Sequence, residues 1–224
     1  MTKIRNFLIA VIAITALSTS AFAGSFGVGT TFSQTSVDAS GTEVTETTET
    51  GDTSTRTASV DNKALIASFY GEYSTDSFSF TSEGNGFTIG LGMTPGEADV
   101  SDAIHSRVDG YSAAATISNY QSVYVEIPVY GMLYVKAGQS KIDLNTNETN
   151  SVANGSYSDV SLDGKNYGVG IKGKFTDKVK WKAFYEKTDF DDISLTSSGN
   201  TTTGHKLTAD LDTKSYGVSL GYVF

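Results

Sequence analysis

The residues of this chain that could perform nucleophilic chemistry lie around its first histidine. Ser106 directly follows His105, and three acids near them could orient the imidazole: Glu97, Asp102 and Asp109. A catalytic serine needs a base within hydrogen-bond distance and a third group that holds that base, so this segment would act only if it folded back on itself. The only other histidine, His205, is far away in the sequence, and two such histidines in outer loops make a weak metal site. We therefore predict that the chain is not an enzyme and that it holds neither a metal nor a cofactor.

Two groups of carboxylates could hold a hard divalent cation through oxygen ligands. One follows a predicted strand and the other lies in a Thr- and Glu-rich run at 42–57: Asp189, Asp191 and Asp192, then Glu43, Glu46, Glu49 and Asp52. Neither group has the spacing of a calcium-binding loop, and acidic residues also keep hydrated loops extended. We predict hydrated outer loops at both places and expect the run 42–57 to be mobile.

A glycine motif, Gly168-x-Gly170-x-x-Gly173, has the spacing of a dinucleotide-binding loop. It lies inside an alternating apolar segment, and no predicted helix follows it that could place an N-terminus against a phosphate. We interpret these glycines as small residues that face a crowded interior.

Apolar residues alternate with small or polar ones in eight segments, which is the pattern of β-strands. The segments are 25–34, 63–74, 86–94, 119–128, 131–140, 165–175, 178–189 and 216–224. Long polar loops alternate with shorter links, and the long ones are 35–62, 95–118, 141–164 and 190–212. An even number of strands with long loops on one side and short turns on the other is typical of a membrane barrel. We therefore predict an all-β fold: an eight-stranded antiparallel up-and-down transmembrane β-barrel with both termini on the short-turn side.

Six charged residues lie on the strand faces opposite the large apolar side chains: Glu72, Glu126, Lys136, Lys172, Lys182 and Glu186. A charge on the lipid face of a barrel costs about 2–4 kcal/mol at the middle of the membrane. Eight strands leave an interior just wide enough to be filled by side chains. We therefore predict that these three acids and three bases pair inside the barrel and leave no open pore.

The N-terminal residues predict export by the Sec pathway. Lys3 and Arg5 precede an apolar run at 7–17, and an Ala-Phe-Ala cleavage site ends at Ala23. We expect cleavage there, with 24–224 forming one barrel domain. The chain has a formal net charge of −9, which argues against nucleic acid as a partner. It contains no cysteine, so disulfides and thiolate metal sites are excluded.

The chain ends in a strand with one large apolar face, formed by Tyr216, Val218, Leu220, Tyr222 and Phe224. This terminus, the export segment and the eight strands together resemble the small outer-membrane barrels of Gram-negative bacteria, the OmpA/OmpX-like and opacity-type proteins. The resemblance implies a bacterial outer-membrane location, a monomer surrounded by lipid, and an alternating aromatic terminus that the barrel-assembly machinery reads as an insertion signal. It implies no specific activity.

Three functions are compatible with this sequence. The first is a non-catalytic outer-membrane barrel with a structural or surface-interaction role, four long acidic extracellular loops and a charge-paired interior. The second is a narrow pore that prefers cations because its loops are acidic. The third is an outer-membrane enzyme that modifies lipid. The inward charges favour the first function over the second, and no strand contains a His, Ser and Asp set that would favour the third.

Overall fold

The computed structural model describes residues 24–46, 53–75, 86–100, 104–106, 111–149, 157–198 and 206–224. The predicted export segment 1–23 and His205 lie outside these ranges, as do Glu49, Asp52, Asp102 and Asp109. The described residues contain no helix long and apolar enough to cross a membrane.

Ten antiparallel strands form a single sheet. They are β1 (Gly24–Glu46), β2 (Thr53–Thr75), β3 (Thr88–Asp99), β4 (Ile104–Ser106), β5 (Tyr111–Tyr130), β6 (Leu133–Thr149), β7 (Val160–Lys174), β8 (Val179–Phe190), β9 (Ile193–Thr196) and β10 (Lys206–Val223). Eight of them make a ring in the order β1-β2-β3-β5-β6-β7-β8-β10, which pairing of β10 with β1 closes, while β4 and β9 add to β5 and β10. The predicted eight-stranded up-and-down barrel is confirmed.

The short connections gather at one end of the ring. β5 and β6 are joined by the turn at Gly131 and Met132, and β7 and β8 by residues 175–178. At the same end, the Phe224 amide donates a 2.9 Å hydrogen bond to the Phe26 carbonyl oxygen, which joins the two described termini of the barrel. We call this end the base and the opposite end the outer end.

The strands continue far into the regions predicted as long loops, and this part of the prediction is wrong. β1 and β2 stay in register from Gly24↔Thr75 to Glu46↔Thr53, so 42–46 and 53–57 are strand and not a mobile run. His105 likewise lies in β4 and not in a loop. These outer halves are rich in Ser and Thr on both faces, so they lack the apolar alternation from which the strands were predicted, although Thr itself favours strands.

The outer wall of the barrel carries a wide belt of exposed apolar side chains. Its members are Phe32, Leu65, Phe69, Val123, Val125, Ile127, Val135, Val169, Ile171, Tyr185, Val218 and Leu220, each at least 37 % exposed. A contiguous apolar surface of this extent is stable only when lipid or another protein covers it. In a closed barrel, a belt of this kind is the lipid-facing surface.

A second apolar cluster fills the interior toward the outer end, beyond the lipid-facing belt. It comprises Val37, Val100, Ile142, Leu144, Leu162, Phe190, Ile193, Leu195 and Leu211, all less than 10 % exposed. We call it the outer core. It explains why the long polar hairpins stay ordered, because their inward residues bury apolar surface against one another.

Candidate functional site

Three acids and three lysines form a charged floor across the lower interior of the barrel. Glu126 is 2 % exposed, and its two carboxylate oxygens lie 2.6 Å from Lys182 Nζ and 3.2 Å from Lys172 Nζ. Lys182 also pairs with Glu72, and Lys136 pairs with Glu186 at 2.5 Å. Each of the six charges therefore has an opposite partner, which offsets the desolvation cost of burying it.

Three tyrosine rings pack among these charges and thicken the floor. The Tyr124 hydroxyl donates a 2.8 Å hydrogen bond to Glu72, and Lys136 Nζ lies 4.0 Å from the centre of the same ring. Tyr70 and Tyr134 lie in the same way beside Lys182, with ring centres 5.3 and 5.9 Å from its nitrogen. These cation–π contacts fill space that ion pairs alone would leave to water.

Inward-facing glycines make room for those rings. A Cβ atom on Gly90 would overlap the Tyr124 ring, and one on Gly170 would lie 2.6 Å from the Tyr134 hydroxyl. Gly170 belongs to the motif with dinucleotide-like spacing, and the whole motif lies within β7 with no helix after it. The motif therefore serves packing beside the floor.

Among the described residues, Glu97 and Ser106 were also considered for chemistry, and both lie away from the floor. Glu97 lies at the outer end of β3, and Ser106 ends the short strand β4. Within the described ranges, no three His, Cys, Asp or Glu side chains are grouped so that they could hold a metal ion. Asp189 pairs with Lys187 at 2.5 Å on the outer wall of β8.

A cavity of about 560 Å³ separates the charged floor from the outer core. Glu72, Lys136 and Lys182 line its lower side, and Val37, Ile142 and Phe190 line its upper side. Between these two levels the walls carry hydroxyl groups, from Thr31, Ser33, Thr35, Ser118, Ser122, Thr188, Thr213, Ser215 and Ser219. The cavity therefore offers an apolar roof, hydroxyl walls and a floor whose charges already have partners.

The cavity opens sideways, between β2 and β3. These strands pair only from Ser74↔Thr88 to Phe69↔Met93, although both continue beyond that point. Residues on both sides of the unpaired stretch line the cavity, including Ala64, Leu65, Pro95 and Gly96. We call this opening the lateral gap.

Two hydrogen bonds bound the lateral gap. At its lower edge the Ser68 and Thr94 hydroxyls lie 2.7 Å apart, and at its upper edge Asn62 Nδ2 donates to the Asp99 carbonyl oxygen at 3.0 Å. Between these two hydrogen bonds, β3 cannot continue its backbone ladder with β2. Pro95 has no N–H to donate, and the β3–β5 register shifts between Thr94 and Glu97.

Gly96 supplies the backbone conformation that this bulge requires. Its φ is +97°, a value that residues with a Cβ rarely adopt. Our sequence reasoning did not identify the lateral gap, although the Pro95-Gly96 dipeptide in a strand was a usable signal for an interrupted ladder. Because proline is confined to sheet edges and bulges, this dipeptide indicates where the wall of the ring is incomplete.

Comparison with known proteins identifies the fold of this chain but no specific function. No family model and no curated protein sequence matches this chain. Among solved structures it is similar to the outer membrane protein OprG from Pseudomonas aeruginosa, with a TM-score of 0.56, 13 % identity, and coverage of 91 % of this chain and 97 % of OprG. The outer membrane protein AlkL (TM-score 0.46, 16 % identity, 92 % and 93 % coverage) and Ail of Yersinia pestis (0.44, 13 %, 91 % and 100 %) also match, but more weakly. The chain thus has the fold of the small outer-membrane β-barrels that its sequence resembles.

Proposed function

We propose that this protein is a non-catalytic barrel of the bacterial outer membrane that binds small, uncharged, partly apolar molecules and exchanges them sideways with the surrounding lipid. The lateral gap is the observation on which this proposal depends. It connects a cavity of about 560 Å³ with the apolar outer wall, where Leu65 and Phe69 are exposed. A cavity of this size is within the range of small-molecule sites.

The chemistry of the cavity supports an uncharged ligand. The carboxylates and ammonium groups of the floor already pair with one another, so a charged ligand would gain no free partner at the floor. The two other acids that line the cavity, Glu97 and Asp99, are exposed on the β3 side of the lateral gap. An isolated charge that entered would also lose its hydration, which costs several kcal/mol. A molecule with an apolar body and one or two hydroxyl or carbonyl groups would instead match the roof and the walls.

The floor also argues against the pore alternative. An ion that passed along the barrel axis would have to displace Lys182 from Glu72 and Glu126, whose side chains are all less than 10 % exposed. We therefore expect the refolded protein to show no stepwise conductance in planar bilayers. Steady single-channel currents from the wild type would contradict this expectation and favour the narrow pore.

A structural or surface-interaction role is the second candidate, and the length of the β1–β2 hairpin favours it. A tilted strand needs about 9–11 residues to cross a membrane, whereas β1 and β2 each have 23. The paired remainder extends well beyond the lipid-facing belt. It offers a stiff surface to a partner outside the cell.

The test of ligand binding is to fill the cavity from the β2 side. Ala64 lines the cavity and the lateral gap, so Ala64→Trp places an indole where a ligand would lie. We expect a refolded barrel in detergent to bind N-phenylnaphthylamine, a small apolar fluorophore, and the variant to bind it at least about tenfold more weakly. The matched control is Ala137→Trp, which adds the same side chain to the exposed outer wall of β6.

The comparison of the two variants separates cavity binding from adsorption to the wall. If both lost binding equally, or neither did, the fluorophore would lie outside the cavity and the proposal would fail. Heat-modifiable migration on a gel checks that both variants fold.

A further inference from the structure

The entrance of the lateral gap carries two carboxylates on its β3 side. Glu97 and Asp99 line the opening, and both are exposed. They follow the bulge at Pro95 and Gly96, and the backbone oxygen of Asp99 accepts the hydrogen bond from Asn62 at the upper edge. The bulge that interrupts the ladder therefore also places two acids beside the opening.

Neither carboxylate is neutralised by a described base. Among the described residues, no lysine, arginine or histidine forms an ion pair with Glu97 or Asp99. Lys63 follows Asn62 on β2, but it is not among the residues that line the opening. The entrance is therefore negatively charged on its β3 side.

The cavity and its entrance together carry more acid than base. Of the described residues that line them, five are acids and two are lysines: Glu72, Glu97, Asp99, Glu126, Glu186, Lys136 and Lys182. Lys172 lies outside this lining and pairs with Glu126 at 3.2 Å. Three lysines thus neutralise the three acids of the floor, and the two acids at the entrance make up the excess.

The lateral gap lies at the level where the apolar belt ends on β2. Phe69 and Leu65 point outward and are 49 % and 88 % exposed, and the next outward residue away from the base is Lys63. Such a change from apolar to charged side chains marks the end of the hydrocarbon region. An amphiphile in the bilayer keeps its polar head at this level, so the head of an entering molecule passes close to Glu97 and Asp99.

We propose that Glu97 and Asp99 determine the specificity of the lateral gap by excluding amphiphiles with an anionic head, such as a carboxylate, phosphate or sulfonate. An unpaired charge that repels the wrong ligand gives specificity without weakening the binding of a neutral one. Anionic membrane lipids belong to the excluded class, so the two acids also keep these lipids from filling the cavity. This role rests on the proposed function, because it concerns which molecules use the same opening.

The test compares two fluorophores that differ by one anionic group. Anilinonaphthalene sulfonate is N-phenylnaphthylamine with an added sulfonate, and fluorescence titration of the refolded barrel in neutral detergent measures the binding of each. The signal of Ala64→Trp, which fills the cavity, is subtracted to remove the contribution of dye in the micelle.

We expect Glu97→Gln/Asp99→Asn to bind the sulfonate dye at least about tenfold more tightly than the wild type does. A like charge about 4 Å away weakens binding roughly fivefold even at the dielectric constant of water, and two such charges are removed. The binding of N-phenylnaphthylamine is expected to stay within about twofold of the wild type. Added salt is expected to narrow the difference in sulfonate binding between the variant and the wild type, because salt screens exposed charges.

Asp191→Asn/Asp192→Asn is the matched control. It removes two exposed acids next to the end of β8, which lies opposite β3 in the ring, and is expected to leave the binding of both dyes unchanged.

Two results would overturn the role of the entrance acids while the proposed function stands. In the first, Glu97→Gln/Asp99→Asn binds the sulfonate dye no better than the wild type, so that size or desolvation excludes it. In the second, the control variant gains as much sulfonate binding as the entrance variant. If N-phenylnaphthylamine itself gave no signal above that of Ala64→Trp, the proposed function would fail, and the role of the two acids would fail with it.

Discussion

Replacing Lys182 with methionine is expected to lower the free energy of unfolding by about 3–5 kcal/mol, because it leaves buried carboxylates without their partner. Lys182 is 6 % exposed, pairs with Glu72, and lies 2.6 Å from Glu126. Without its charge, Glu72 keeps the Tyr124 hydroxyl but no ion pair, among the described contacts. Urea unfolding of the barrel in detergent micelles gives the measurement.

Two companion variants test the physical reason for that loss. Lys182→Met/Glu72→Gln removes the orphaned charge along with its partner, while Lys172 still neutralises Glu126 at 3.2 Å, so we expect this double variant to be more stable than the single one. Lys187→Met removes an exposed ion pair and is expected to lower the free energy of unfolding far less than Lys182→Met does. If Lys182→Met unfolded at the wild-type urea concentration, the floor would be hydrated and our account of the plug would be wrong.

Replacing Phe224 with serine is expected to reduce the folded barrel in the outer membrane severalfold, while refolding of the purified chain in detergent changes little. The Phe224 ring stacks on Phe26 across the β1–β10 seam, with centres 6.0 Å apart. Such a ring pair contributes only about 0.5–1.5 kcal/mol beyond the area that it buries. The larger effect in cells would come from the aromatic terminus acting as an insertion signal, as the sequence resemblance implies.

Phe175→Ser is the matched control for this prediction. Phe175 is 68 % exposed at the base and also contacts an aromatic neighbour, Trp181, with ring centres 6.2 Å apart. The folded fraction is read from heat-modifiable migration of membrane extracts. Equal losses for the two variants would show that any exposed aromatic residue at the base matters equally, and that Phe224 is not a signal.

The membrane-crossing part of the fold could be predicted because lipid imposes a strict pattern. A strand with lipid on one face and packed side chains on the other must alternate, and segments such as 165–175 and 178–189 match β7 and β8 within a few residues. Outside the lipid this constraint ends. The outer parts of β1 and β2 are mostly polar on both faces, so only their pairing in three dimensions distinguishes them from loops.

The candidate site was predictable in composition but not in arrangement. Alternation alone places Glu72, Glu126 and Lys182 on the inward face of the barrel. It cannot show that Lys182 bridges the two acids, because that contact depends on the stagger between strands. Alternation also could not show the lateral gap, for a related reason. Pairing between β2 and β3 stops at Phe69 and Met93, and an absent ladder leaves no periodic trace in the sequence.

The lateral gap also changes the mechanics of the barrel. A closed tube resists twisting because shear stress runs unbroken around its circumference, and a tube slit along part of its length loses that resistance over the slit portion. Near the base, a backbone ladder links β2 to β3, but beyond Phe69 and Met93 the ladder ends, and the described contacts across the seam are the hydrogen bonds of Ser68 and Asn62. The outer half should therefore twist far more easily than the base, and each such twist slides β2 past β3. If a change in bilayer thickness tilted the strands, the width of the lateral gap would change before the structure of the base did.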